Sequence, residues 1–323
     1  MCKFAAMMND KTYMRRCLQL AANGIQGARP NPMVGAVIVA DGRIIGEGYH
    51  VRCGEAHAEV NAFASVRHQD EHLLRDATVY VSLEPCAHYG KTPPCAELII
   101  KKGVRRVVVG CIDPFAKVHG RGVDMLRQAG IEVAVGVLEE ECQWLNRRFF
   151  TYHSKHRPYI ILKWAQTANG FIDDHFQPLL ISNEQTQMLS HQLRAEEDAI
   201  LVGHTTFERD HPQLTVRHWH GPNPKRLVLT RQRTLPQLMD DLYQHEIQSL
   251  IVEGGCQTHQ VFIEAGLWDE IRIETAPITV VTGTPAPQLP VEVTLMWKRN
   301  YNRNTITSYR NRQALRPTSG SPT

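Results

Sequence analysis

His57, Glu59, Cys86 and Cys95 are the residues of this 323-residue chain whose types and spacing could do chemistry together. Two thiolates and one imidazole are three ligands of the kind zinc prefers, and they leave a fourth tetrahedral position for water, the composition of a catalytic and not a closed structural site. Zinc in such a site lowers the pKa of water to about 7, which makes a nucleophile available at neutral pH. Glu59 lies two residues from the expected ligand His57, an offset that does not share a helical face. At a helix N-terminus it still reaches a metal's water as a proton shuttle. The opposing reading is reduced core cysteines and a surface histidine. It is the weaker one, because the motif pieces fall where strands give way to helices, the place where a parallel sheet puts its active site. The other cysteines of the eight, at 2, 17, 53, 111, 142 and 256, read as reduced structural residues.

The elements that must position these four alternate along the first half of the chain. A helical pattern through Met14, Leu18 and Ala21 precedes two strands, 34–40 and 43–49, turned on Asp41-Gly42, a strong hairpin pair. A helix over 57–67, a strand over 78–83, a helix over 94–102, a strand over 106–111, a helix over 122–128 and a strand over 131–135 follow. Strands separated by helices predict a largely parallel sheet covered on both faces, a three-layer α/β/α domain over residues 1–150. The polar, proline-ended stretch 152–158 is the expected linker. A second α/β domain is expected over 157–310, with strands 159–164, 199–202, 226–229, 250–252 and 270–274 and helices 184–194, 236–245 and 258–265, before a disordered tail over 311–323. Two domains suit the length. With 42% apolar residues, the chain has no run near the ~20 apolar residues of a bilayer span and no secretory pattern at its start, so a cytoplasmic protein with reduced thiols is expected, and no membrane partner. A net charge of +3 with short Lys/Arg runs argues against a nucleic-acid partner.

His-x-Glu followed by Pro-Cys and a second Cys is the pattern of zinc nucleobase deaminases, whose simple forms have Cys-x-x-Cys. Here the loop is Cys86-Ala-His-Tyr-Gly-Lys-Thr-Pro-Pro-Cys95, and its His88, Lys91 and Thr92 are donors suited to a phosphate or sugar edge. With Asn31-Pro32-x-Val34-Gly35, Gly46-x-Gly48-x-His50 and Glu55-x-His57-Ala58-Glu59, residues 10–150 resemble the deaminase domain of the bifunctional riboflavin-biosynthesis deaminase-reductases. The resemblance implies a cytidine-deaminase-like fold, one catalytic Zn2+, and hydrolytic removal of the pyrimidine 2-amino group of diaminohydroxyphosphoribosylaminopyrimidine. It also implies Asn31, His50, His88, Lys91 and Thr92 as substrate contacts.

Similarity to the same family continues in Lys163-x-Ala165-x-Thr167, Leu193-Arg194, Gly203-x-x-Thr206, Leu214-Thr215-Val216-Arg217 and Val252-Glu253-Gly254-Gly255. It implies a dihydrofolate-reductase-like α/β domain that binds NADPH and reduces the ribosyl group of 5-amino-6-(5-phosphoribosylamino)uracil. By the same resemblance Ala165, Thr206, Asp210, Gly254 and the run from Gly255 to Val261 face NADPH, and Lys163, Arg194, Leu214, Arg217 and Glu253 face substrate. From the residues alone, paired glycines between a strand and a helix let a dinucleotide's phosphates approach the backbone. The chain departs from the family at Thr167-Ala-Asn169-Gly170, where Ser-x-Asp-Gly is usual, at Leu180, where a tryptophan is usual, and at His211 in Asp210-His211-Pro212. Only about one helix fits between the strands at 226–229 and 249–253, so the second domain reads as shortened. Two alternatives stay open: a deaminase with a degenerate second domain, and a deaminase acting on nucleic acid, which the small net charge and the long cysteine loop disfavour. A small phosphoribosyl pyrimidine substrate and a homo-oligomer are expected.

Overall fold

The structure is a computed structural model that describes residues 2–89, 93–114 and 120–312, with side chains from Asp10 onward. The expected tail over 311–323 falls almost wholly outside them. The chain divides into two compact units, Met1–Lys155 and His156–Thr323. The first contains α1 (Cys2–Ala22), β1 (Gly35–Ala40), β2 (Arg43–Tyr49), α2 (Ala58–Ala64), β3 (Thr78–Leu83), α3 (Cys95–Lys102), β4 (Arg106–Cys111), α4 (Arg121–Gln128), β5 (Glu132–Val135), α5 (Glu139–Leu145) and α6 (Arg147–Lys155). Its five-stranded sheet runs β2-β1-β3-β4-β5. The β1–β2 hairpin and the β1–β3 pair are antiparallel, and β3–β4 and β4–β5 are parallel.

The apolar runs of β1, β3 and β4 exist because both faces of the sheet are covered. Ile38, Val79, Val81, Val107 and Val109 pack with Ala62 of α2, Ile99 of α3 and Leu126 of α4. Their neighbours Val37, Val39, Tyr80 and Val108 pack on the opposite face with Met14 and Cys17 of α1 and Cys142 of α5. These are the three layers that the sequence predicts. The expected linker over 152–158 is corrected at its start: Thr151 and Tyr152 are buried in the last turns of α6, with the His153 ring 4.3 Å from that of Phe149. Polar side chains on a short amphipathic helix had read as a loop.

The second unit contains β6 (Tyr159–Thr167), α7 (Glu184–Glu196), β7 (Ala199–Gly203), α8 (His204–Asp210), β8 (Lys225–Leu229), α9 (Leu235–Gln244), β9 (Ser249–Val252), α10 (Cys256–Glu264), β10 (Glu270–Ala276), β11 (Val293–Tyr301) and β12 (Asn304–Asn311). Its seven-stranded sheet has the order β11-β12-β10-β6-β9-β7-β8. The strands from β10 to β8 are parallel, and β12 and β11 add an antiparallel hairpin. That hairpin escaped the sequence reading because β11 is half exposed and carries Lys298, Arg299 and Asn300, and β12 is largely polar. One helix, α9, links β8 to β9, as the spacing predicts, and Thr234 and Gln237 start it with a capping box.

The metal-ligand motif is held in place by the C-terminal end of β3. Glu84 follows that strand and is buried, and its carboxylate accepts the backbone N–H groups of Gly120 and Gly122 at 2.9 Å and of Asp113 and Val123 at 3.3 Å. The acid thus caps the N-terminus of α4 and fixes the Glu84-Pro85-Cys86 segment against it. Replacing Glu84 by Ala strands four backbone donors, three of them buried. The first unit should lose about 2–4 kcal/mol of stability, read by calorimetry as a lowered first transition with the second unit's transition unmoved.

Candidate functional site

In the first unit the helices begin where the parallel strands end, and the ligand set forms there. The α2 helix starts at Ala58 with His57 as its N-cap, and it lies directly on β2 because residue 48 is glycine: a Cβ there would come 2.3 Å from the Ala62 nitrogen and 2.6 Å from the Ala58 oxygen. Cys86 follows β3, and Cys95 is the first residue of α3, whose N–H donates to the Cys86 sulfur at 3.3 Å. His57 Nδ1 is 3.6 Å from Cys86 Sγ and 3.3 Å from Cys95 Sγ, and the three ligand atoms lie within 4.8 Å of one another. Tetrahedral bonds of about 2.0–2.3 Å put zinc ligands roughly 3.5 Å apart, so the donor set and its spacing fit that metal. The hydrogen bond from Cys95 and then His57 pull the Cys86 thiol down, and Cys86 and burial push Cys95 up. A divalent cation resolves this asymmetry by taking both sulfurs as thiolates.

Glu59, only 3% exposed, sits in the first turn of α2 beside the ligands, and burial pushes its carboxyl up to about 7. Beyond it lies a polar relay. His50 is 3% exposed, and its ring meets that of His57 edge-on at 5.5 Å. Its Nδ1 faces the Ala56 carbonyl at 3.1 Å and must donate to it, so Nε2 is the acceptor for the Asn31 amide, also at 3.1 Å. Both His50 nitrogens thus have protein partners, and one of them is Asn31, the other residue of this pair that the resemblance implies as a substrate contact. The Asn31 loop is itself clasped from a distance. Asn146, 2% exposed, accepts the Met33 N–H and donates to the Met33 carbonyl, both at 2.8 Å, across 113 residues. His88 is exposed on the cysteine loop. Lys91 and Thr92 lie outside the described residues.

In the second unit Lys163, Ala165, Arg194, Thr206, Asp210, Arg217, Glu253, Gly254 and Gly255 line one open cleft of about 430 Å³. Its floor suits a dinucleotide's phosphates. The α10 helix begins after Gly255 with no side-chain cap, leaving its first N–H groups open, and Thr206 Oγ1 holds the Gly255 N–H at 3.0 Å. A Cβ at position 254 would sit 2.9 Å from the Gly203 nitrogen, which fixes glycine there. These features fit NADPH. Within the run after Gly255, His259 is an exception: it is fully buried, with ring nitrogens against the carbonyls of Gly255, Lys163 and Val252. The Leu214 side chain is packed in the core with Leu193 and does not line this cleft. Leu180 lines the cleft and is exposed, and His211 closes α8 in the left-handed conformation of a turn.

Charges in this cleft are mostly spent on one another. Arg194 grips Glu253 at 2.6 Å and 3.3 Å, and Lys163 and Arg194 hold that buried carboxyl below its usual range against the burial that would raise it. Arg209 pairs with Asp210 at 2.7 Å and approaches Asp173 at 3.5 Å. Glu84, Asn146, His191, Arg209 and Asp173 were not singled out from the sequence. Only Glu84 carried a local signal, its place beside Pro85-Cys86.

Residues 7–111 match the family model of the cytidine and deoxycytidylate deaminase zinc-binding region, and residues 158–239 and 232–298 match that of the RibD C-terminal domain. The chain is 38% identical over 313 residues to the riboflavin biosynthesis protein RibD of Aquifex aeolicus, covering 83% of this chain and 87% of that one. It is 40% identical over 277 residues to RibD of Synechocystis sp., covering 85% and 67%. The crystal structure of a Thermotoga maritima diaminohydroxyphosphoribosylaminopyrimidine deaminase/5-amino-6-(5-phosphoribosylamino)uracil reductase superposes with a TM-score of 0.86 at 33% identity, covering 95% of this chain and 99% of that one. With a zinc-type ligand triangle in one unit, a dinucleotide floor in the other and both domains matched in order, the chain belongs to the RibD family of bifunctional, zinc- and NADPH-dependent riboflavin-biosynthesis enzymes.

Proposed function

We propose that the first unit deaminates diaminohydroxyphosphoribosylaminopyrimidine and that the second reduces the product, 5-amino-6-(5-phosphoribosylamino)uracil, at its ribosyl group. The observation that carries the first step is the close approach of His57, Cys86 and Cys95 with buried Glu59 beside them. Zn2+ on these three ligands supplies the acidity that makes water a nucleophile at neutral pH. Glu59 takes the proton of the attacking water and delivers it to the amino nitrogen, so that a C–O bond forms, the C–N bond breaks and ammonia leaves. Asn31, turned by His50, offers its amide oxygen to the pyrimidine edge, and His88, Lys91 and Thr92 serve the phosphoribosyl arm.

In the second unit Gly254, Gly255 and the α10 N-terminus hold the cofactor's phosphates, with Thr206 bracing the loop and Ala165 and Asp210 along the wall. NADPH supplies the hydride that reaches C1′ of the opened sugar. Lys163 and Arg217 face the substrate, and the Arg194–Glu253 pair fixes the wall between them. A degenerate second domain is not favoured, since the cleft is present beside Gly254-Gly255.

No described helix is long and apolar enough to cross a membrane, and the described cysteines outside the ligand set are free thiols. A reducing, cytoplasmic compartment suits a site that needs two thiolates. Among the described residues the outer edge of β11 has no strand partner, and it shows Leu295 and Met296 to solvent, which supports self-association of the chain, to be read by sedimentation.

Glu59→Gln should keep one zinc per chain by metal analysis while deamination falls about 10²–10⁴-fold; substantial residual turnover removes Glu59 from this role. Stripping the metal with a chelator should abolish ammonia release yet leave NADPH oxidation with the deaminated intermediate intact. Absence of NADPH oxidation by the untreated enzyme would show the second half of the reading to be wrong.

A further inference from the structure

Resting on the reading of the second cleft as a reductase site, one question is what makes it select a phosphorylated substrate. Of the four guanidinium or ammonium groups lining the cleft, Arg194 is paired to Glu253, Arg209 to Asp210, and Lys163 acts electrostatically on Glu253. Among the described residues the Arg217 guanidinium bonds neutral partners, Gln213 and the Thr215 hydroxyl at 3.3 Å. Its full charge is thus available for an anion, and its aim depends on the irregular loop 213–217.

That loop is held from behind by one face of α7. Arg194, locked by Glu253, donates to the Thr215 carbonyl at 3.2 Å. One turn earlier His191, 5% exposed, accepts the Arg217 backbone N–H on Nδ1 at 2.8 Å. For Nδ1 to accept, the ring must be neutral with its proton on Nε2. Its surroundings enforce this: burial, then Arg194, Arg217 and His218, push His191 down to about 4, and the His218 ring stands edge-on at 4.8 Å. Two further contacts, Val216 N–H to the Asn223 amide oxygen at 2.7 Å and the Arg226 guanidinium to the Gln213 carbonyl at 3.3 Å, are exposed and bond different peptides.

We propose that His191 is a positioning residue of the reductase site: by accepting the Arg217 N–H it sets where the Arg217 guanidinium points, and so selects substrates that carry a phosphate. It touches no reacting atom, and its effect is on recognition and not on hydride transfer.

The test uses the full-length zinc-loaded protein with His191→Phe, His191→Asn, Arg217→Ala and the His191→Phe/Arg217→Ala double variant. With 5-amino-6-(5-phosphoribosylamino)uracil, His191→Phe should raise KM about tenfold while kcat and the KM for NADPH stay within about twofold. His191→Asn, whose side-chain oxygen accepts the same N–H, should recover most of the loss. Adding His191→Phe to Arg217→Ala should raise KM no further, because both act through one group. Against the 5′-dephosphorylated substrate, His191→Phe should match the unaltered enzyme. Additive effects in the double variant, an equal loss on the dephosphorylated substrate, or a fall in kcat with KM unchanged would each overturn the proposal. The second unit's calorimetric transition in the same preparations reports its folding, and if His191→Phe does not fold, the asparagine variant and the Arg217 comparison decide. Calorimetric titration with ribose 5-phosphate separates the two readings. Weaker binding by His191→Phe supports the positioning role even if the unaltered enzyme fails to oxidise NADPH, and equal binding refutes it.

Discussion

Everything in the first unit answers to one constraint: two sulfurs and an imidazole nitrogen, from residues 29 and 38 positions apart, must stand a few ångströms from each other with a carboxyl buried alongside. Without a cation this is an unfavourable grouping of polar, desolvated atoms, and only a stiff frame keeps it assembled. The frame is the set of strand-to-helix junctions of a sheet covered on both faces. The ligands come from the N-termini of α2 and α3 and from the segment after β3, and the N–H at the start of α3 already serves the Cys86 sulfur. Glu84 ties that segment to α4, so three helix N-termini and one strand end form a single rigid corner.

The second unit meets an equivalent demand without a metal. Its cleft also opens at the ends of parallel strands, where Glu253-Gly254-Gly255 follows β9 and α8 follows β7. Here the positive charges are disciplined by pairing. A buried Arg194–Glu253 pair gains little over a hydrophobic substitute in stability, but it fixes the direction of a side chain that also bonds the Thr215 carbonyl. Pairing Arg209 with Asp210 has the same consequence for the neighbouring wall. Among the described residues Arg217 is the cleft arginine left without a carboxylate partner, and the proposed phosphate recognition uses that charge.

How much of this was legible in the sequence follows from how local each interaction is. His57, Glu59, Cys86 and Cys95 were readable because residue type and short-range spacing encode the ligand set, and the apolar runs of β1, β3 and β4 were readable because both faces of that sheet are buried. The Glu84 carboxylate belonged to the same motif, but its partners at Gly120 and Gly122 come from another helix, so its role was invisible. Asn146 and His191 carry no motif: each acts by bonding a backbone group 113 or 26 residues away, which only tertiary structure reveals. The polar hairpin β11–β12 was missed for a different reason, because half-exposed strands lack the apolar pattern from which strands are read. The resemblance named both His50 and Asn31, and the hydrogen bond that links the two is visible only in the structure.

That link bears on what the first site can recognise under the proposed function. A free primary amide is ambiguous, since rotating it by half a turn exchanges donor and acceptor. His50 removes the ambiguity: its Nδ1–H is committed to the Ala56 carbonyl, so its Nε2 can only accept, and the Asn31 nitrogen must be the atom facing it. The Asn146 clasp on Met33 keeps the loop from shifting when that amide is loaded. Asn31 is therefore left with a fixed oxygen and one further N–H. If it faces the pyrimidine as proposed, a heteroaromatic edge with a donor beside an acceptor meets both, whereas an edge with two adjacent acceptors leaves the half-buried oxygen unsatisfied at a cost of about 1–3 kcal/mol. On that reading, discrimination among pyrimidine edges rests on the tautomer of the histidine bonded to the amide.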